Sequence, residues 1–178
     1  MVGGAHFGVA KRALLHGIKV LNQEGSGSDR TIISGIDFAV SHAKEHGRPS
    51  VLSLSLGGSP SPALDDAVRN AVKAGATVVV AAGNDGEDTS LFSPSRVEEA
   101  IVVGATDTND RIARFSNFGS LVDIFAPGVG VTSVGIKNNK DTNTLNGTSM
   151  SWSVCLFCCP VLPSLGKAGH LTSVNYSY

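Results

Sequence analysis

The residues best suited to chemistry stand together at Asn146-Gly147-Thr148-Ser149-Met150, where a polar loop over residues 137–146 runs into an apolar segment. That order puts Ser149 in the first turn of a helix entering the core. A hydroxyl there feels the positive end of the helix dipole and lies beside backbone N–H groups that the helix leaves unpaired. Such surroundings suit a nucleophile whose substrate develops an oxyanion. Gly147 has no Cβ, so the backbone can pass close to a bound chain. A plain N-cap at Thr148 or Ser149 explains the same short string equally well. The G-x-S-x-G nucleophile elbow is not formed, because position 151 is serine.

A serine in such a role needs a rigid scaffold, and the chain has material for one. It has 178 residues, 42% of them hydrophobic, which is enough for a single soluble domain with a proper core. A strand is expected at residues 18–21, then a flexible Gly25-Ser26-Gly27-Ser28 loop. Asp29 caps a helix reaching about Glu45, with Ile32, Ile33, Ile36 and Val40 on one face and Gly47 closing it. Residues 50–56 alternate apolar and small polar side chains, as a strand does, and stop at Gly57-Gly58. Ser61-Pro62 opens a second helix, with Leu64, Ala67, Val68, Ala71 and Val72 as its buried stripe. Residues 77–82 form an apolar run typical of a strand covered on both faces, ending at Gly83-Asn84. Further strands are expected at residues 100–105, 121–125 and 130–134. Strand, helix, strand, helix, strand is the βαβ pattern of a parallel sheet with helices on its faces.

In such sheets ligands sit beyond the carboxyl ends of the strands, where Gly57-Gly58 and Gly83-Asn84 fall. A phosphate could use the same edge, but neither G-x-G-x-x-G nor G-x-x-x-x-G-K-[ST] occurs, so a nucleotide-binding module is a distant alternative. The net charge of −1, with both signs interspersed, gives no electrostatic footing for nucleic acid. No run approaches the roughly 18 apolar residues of a membrane span, and a monomer is expected. Cys155-x-x-Cys158 invites a metal or redox reading, yet no second Cys or His pair stands at ligand spacing. Cys155, Cys158 and Cys159 are equally accounted for as buried apolar thiols.

Several stretches then match one family in order: Phe7-Gly-Val-Ala-Lys11, Ile18-Lys-Val-Leu21, Ser53-Leu-Ser-Leu-Gly-Gly58, Val80-Ala-Ala-Gly-Asn84, Phe115-Ser-Asn-Phe-Gly119, Asp123-Ile-Phe-Ala-Pro-Gly128 and Asn146-Gly-Thr-Ser-Met150. The chain resembles a subtilisin-like serine protease of the proteinase-K-like branch over residues 2–150. The resemblance implies a three-layer α/β fold with a mostly parallel central sheet, incomplete here. A partial peptidase domain would occupy residues 1–150 and a divergent tail residues 151–178. It implies serine endopeptidase chemistry on peptide or protein substrates, in an extracellular setting. Ser149 would be the nucleophile and Asn84 the side-chain amide that stabilises the oxyanion. Gly25, Ser26 and Gly27 on one side, and Ser55, Leu56, Gly57 and Gly58 on the other, would clasp the substrate by main-chain hydrogen bonds. No cofactor is needed for the chemistry. A structural calcium is implied at Asp123, with backbone carbonyls of Glu98 and Ala100, while an Asp123–arginine ion pair accounts for that aspartate as readily.

The family's Asp motif and its His-Gly-Thr-His motif would fall before Val2, and none of His6, His16, His42, His46 or His170 has their context. After Met150 the resemblance is lost, and Pro160 is expected to end the helix there. A partial or misread gene product would account for both ends. As written, the chain is therefore expected to lack a general base and to show no meaningful peptidase activity. A non-catalytic peptide-binding remnant or decoy is the alternative. Asn146-Gly-Thr148 and Asn175-Tyr-Ser177 form N-glycosylation sequons, read here as coincidence.

Overall fold

The computed structural model describes residues 2–8, 10–11, 13–47, 49–138, 140–155 and 170–173. In chain order the elements are β1 (Leu14–Gly17), α1 (Asp29–His46), β2 (Ser50–Leu54), α2 (Pro62–Lys73), β3 (Thr77–Ala81), β4 (Ile101–Thr106), β5 (Ile124–Pro127), β6 (Val131–Val134), β7 (Thr142–Leu145), α3 (Thr148–Cys155) and β8 (His170–Ser173). Six strands form a sheet in the order β1-β8-β2-β3-β4-β5, every pair parallel.

The strand alternation sorts side chains into two layers of core. Leu52, Leu54, Val78, Val80 and Val102 point to one face, where they meet Ile32, Ile36 and Ala39 of α1 and Leu64, Val68 and Ala71 of α2. Val51, Val79, Ala81 and Val103 point to the other, where Trp152 of α3 and Ala126 cover them. The result is α1 and α2, then the sheet, then α3. The expected three-layer α/β fold is present. Burial of β3 and β4 on both faces is why those segments read as near-continuous apolar runs, while β2, buried along its whole length, carries small serines among its apolar residues.

Both long helices begin on a serine cap. Ser28, not Asp29, caps α1 and accepts from the Thr31 N–H, leaving Asp29 in the first turn where its charge suits the dipole. Ser61 caps α2 ahead of Pro62, and its hydroxyl also donates to Asp29 Oδ2 at 2.6 Å. The two helix starts are thereby tied together. The Asp65 carboxylate, 1% exposed on α2, meets Arg96 Nε at 2.6 Å and so ties the segment after residue 92 to that helix.

Further expectations need correction: the strand expected at residues 121–125 lies at Ile124–Pro127. The first strand is at Leu14–Gly17, not residues 18–21, because the neighbour that sets its register is β8, from the far end of the chain. Residues 131–134 leave the main sheet, and the loop over residues 137–146 is not wholly irregular. Its Thr142–Leu145 stretch pairs antiparallel with Val131–Val134 as a separate hairpin. Residues 170–173, within the stretch without family resemblance, form β8. Cys158, Cys159, Pro160 and Asn175 lie outside the described residues.

His42 and His46, expected to be surface histidines one turn apart, stack with ring centroids 4.2 Å apart, and His16 of β1 joins them at 4.6 Å from His42. Partial burial, and then the charges of His42 and His46, hold the His16 pKa below its ordinary value. Above about pH 6.5 the ring is neutral in folded and unfolded chains alike. As pH falls below that value the unfolded chain takes up the proton first, so folding stability drops until the folded-state pKa is passed. The melting temperature should therefore decline between pH 7 and pH 5, and His16→Asn should flatten that decline.

Candidate active site

α3 starts at Thr148, so Ser149 is its second residue, in the first turn as expected. The preceding loop is pinned to the turn after β5. The Gly147 N–H donates to the Gly128 carbonyl at 2.8 Å, and the Gly130 N–H donates to Asn146 Oδ1 at 2.7 Å. Gly147 has φ +155°, which admits no ordinary side chain without strain. A Cβ on Gly128 would fall 2.3 Å from Ser151 Oγ, so that turn must also be bare backbone.

Asn84 follows β3 at its carboxyl end and faces this loop. Thr148 is fully buried and holds the Asn84 side chain through two bonds. The Thr148 N–H donates to Asn84 Oδ1 at 2.9 Å, and Thr148 Oγ1 donates to the same oxygen at 3.0 Å. Thr148 Oγ1 accepts in turn from the Gly83 N–H at 3.3 Å. With Oδ1 committed to two donors, the amide orientation is fixed and Nδ2 is left as the group available to a ligand. Asn84 and Ser149 share a cleft of about 440 Å³ whose other wall is Ser55, Leu56, Gly57 and Gly58. Among the described residues, no histidine lines this cleft.

That same wall is shared with a second hollow of about 580 Å³, lined also by Gly25, Ser26, Gly27, Leu21, Ile32 and Leu64. The two expected clasping segments thus line one hollow, and residues 55–58 also line the cleft that holds Ser149. Gly58 exchanges two backbone bonds with Ser93, at 3.0 and 3.1 Å, which fixes the end of the wall. The Asn22 side chain accepts from the N–H groups of Glu24 and Ser26, which shapes the loop of Gly25, Ser26 and Gly27.

Asn117, which in the sequence is only one residue of the Phe115-Ser-Asn-Phe-Gly119 stretch, is the residue that builds the Asn84 loop. Its side chain is fully buried. Oδ1 accepts from the N–H groups of Asp85 and Glu87 at 2.9 and 3.1 Å, and Nδ2 donates to the Ala82 carbonyl at 3.0 Å. Its own N–H donates to the Gly83 carbonyl at 3.0 Å. The loop is gripped on both sides of Asn84. Gly83, at φ +109°, is required there, since a Cβ would fall 2.3 Å from Asn117 Nδ2.

Asp123 stands just before β5 and Ala100 just before β4. The Asp123 N–H donates to the Val102 carbonyl at 3.0 Å, and the Val102 N–H donates back to Asp123 Oδ2 at 2.7 Å. Among the described residues Asp123 pairs with no arginine. Nor do the described side chains form any group of three that could hold a metal. A cation here would therefore rely on Asp123 Oδ1, the carbonyls of Glu98 and Ala100, and water. Those are hard oxygen donors of low total charge, which calcium accepts.

By class this is a parallel α/β protein whose cleft joins a helix-start serine to an oriented side-chain amide. The sequence pattern of the Subtilase family, Peptidase_S8, matches residues 1–152, and the chain belongs to that family. It is 49% identical over 150 residues to an extracellular serine proteinase of Thermus sp. (strain Rt41A), an alignment covering 84% of this chain and 36% of the relative. It is 51% identical over 150 residues to subtilisin-like protease 2 of Pseudogymnoascus destructans, covering 84% of this chain and 37% of the relative. A cold-adapted subtilisin-like serine proteinase of known structure superposes with a TM-score of 0.85 at 37% identity, covering 93% of this chain and 59% of that one. The chain thus spans little more than a third of the length of these curated relatives.

Proposed function

We propose that this chain carries the nucleophile and the oxyanion donor of a serine endopeptidase acting outside the cell on peptide or protein substrates. The observation that supports it best is the locked amide: Thr148 holds Asn84 Oδ1 while Ser149, the next residue, opens the same cleft. A peptide laid between residues 25–27 and 55–58 brings a carbonyl to Ser149 Oγ. Attack forms the C–O bond, the carbonyl oxygen takes up negative charge, and Asn84 Nδ2 donates to it. The helix start adds its partial positive charge. The hydroxyl proton must leave to a base, and no described residue lining the cleft offers a histidine for it. The 178-residue polypeptide by itself is therefore expected to bind peptides without hydrolysing them.

Acylation tests this reading without a built-in base. A peptidyl p-nitrophenyl ester supplied with imidazole should acylate Ser149, located by fragment mass spectrometry, and Ser149→Ala should abolish that adduct. Equal labelling of the wild type and of other serines would sink the assignment.

Calcium at Asp123 is proposed separately. With the ion at a hundredfold excess over its Kd, the linkage is about 2.7 kcal/mol. A chelator should then lower the melting temperature by several degrees. Asp123→Asn keeps an acceptor for the Val102 N–H and should erase the calcium response. If the chelator has no effect on the wild type, there is no such site.

A further inference from the structure

β1 and β2 are consecutive strands joined through α1, yet they do not touch as partners. Between them lies a gap one strand wide, and each bonds to β8 along its length. Leu14 and Ser50 both oppose His170, Leu15 and Val51 oppose Leu171, His16 and Leu52 oppose Thr172, and Gly17 and Ser53 oppose Ser173. The two walls of the gap lie inside the family match, which ends at residue 152. The strand that fills it lies beyond that match.

We propose that the gap between β1 and β2 is a strand-acceptor site for one extended peptide segment running parallel to both walls, with residues 170–173 as its exchangeable occupant. β2 is buried along all five residues, so an empty gap would leave a row of its N–H and C=O groups unpaired at the heart of the sheet. Demand for an occupant is therefore strong. Recognition rests on the main-chain ladder, as in strand addition generally, so an extended segment of the right direction suffices. The four-residue length of β8 means that few bonds hold it. Its advantage is attachment, which gives it a local concentration on the order of millimolar for a short linker. A free copy should compete near that level. The inference stands independently of the role proposed for Ser149.

Hydrogen exchange on the whole chain tests it. In the wild type, amides of residues 170–173 should exchange at least about tenfold more slowly than in a free peptide, as expected of paired strand. Thr172→Pro removes one ladder donor and should release protection at residues 14–17 and 50–54. A synthetic peptide covering residues 167–176, added at millimolar concentration, should restore that protection, and the same peptide carrying proline at position 172 should not. Should Thr172→Pro unfold the chain altogether, restoration by the peptide reads in the same way. Free-peptide exchange at residues 170–173 in the wild type, with residues 50–54 still protected, would overturn the proposal. So would a variant that the peptide leaves unchanged.

Discussion

Replacing Asn84 by leucine is expected to slow imidazole-assisted acylation of Ser149 by about 10²–10³-fold, a figure that comes from a subtilisin and is carried over to this relative. Leucine removes the Nδ2 donor, and it also strips Thr148 of the acceptor for its N–H and its hydroxyl. Asn84→Asp separates the two effects. It keeps both bonds from Thr148 but offers the oxyanion a carboxylate instead of a donor, so the rate should fall at least as far. Thr148→Val removes the hydroxyl's bond to Asn84 and the acceptor it offers the Gly83 N–H. The Thr148 N–H still holds Oδ1, and the loss should be closer to tenfold, the size of about one hydrogen bond. Single-turnover rates at saturating ester give this order directly. If Asn84→Asp acylates at the wild-type rate, Nδ2 is not the donor.

The elements that make this test possible were legible to unequal degrees. Strands β2 to β4 and helices α1 and α2 announce themselves because their signals are local: strict alternation, a 3.6-residue stripe, a serine cap before Pro62. Ser149 and Asn84 stand out because each lies in a recognisable string. The misplaced first strand had two apolar windows to choose from, and only pairing with β8, remote in sequence, decides between them. β7 is exposed along all four residues and reads Thr-Asn-Thr-Leu, so it carries no burial pattern at all. Its partner β6 supplies the register. Thr148 looked like a cap because a threonine before a helix commonly is one. Its second task, holding a side chain from the end of β3, has no trace in local sequence.

Asn117 is the furthest case of that kind, since its side-chain partners lie 30 to 35 positions away. Asn117→Ala is expected to destabilise the fold by about 2–4 kcal/mol, from buried groups that lose their partner at about 1–3 kcal/mol each. The estimate stops short of a full sum because Asp85 and Glu87 are exposed and water can reach their N–H groups, while the Ala82 carbonyl belongs to a buried residue. For a chain of this length that loss lowers the melting temperature by about 5–15 °C. Asn117→Asp keeps an acceptor for the two N–H groups. It loses the donor to Ala82 and places a carboxylate in a fully buried position, so it should be no milder. Exposed Asn109, replaced by alanine, should shift stability by no more than about 0.5 kcal/mol. Because the grip brackets Asn84, the folded fraction of Asn117→Ala should also acylate Ser149 more slowly than the wild type. A variant that melts early yet acylates normally would mean that Thr148 alone positions the amide.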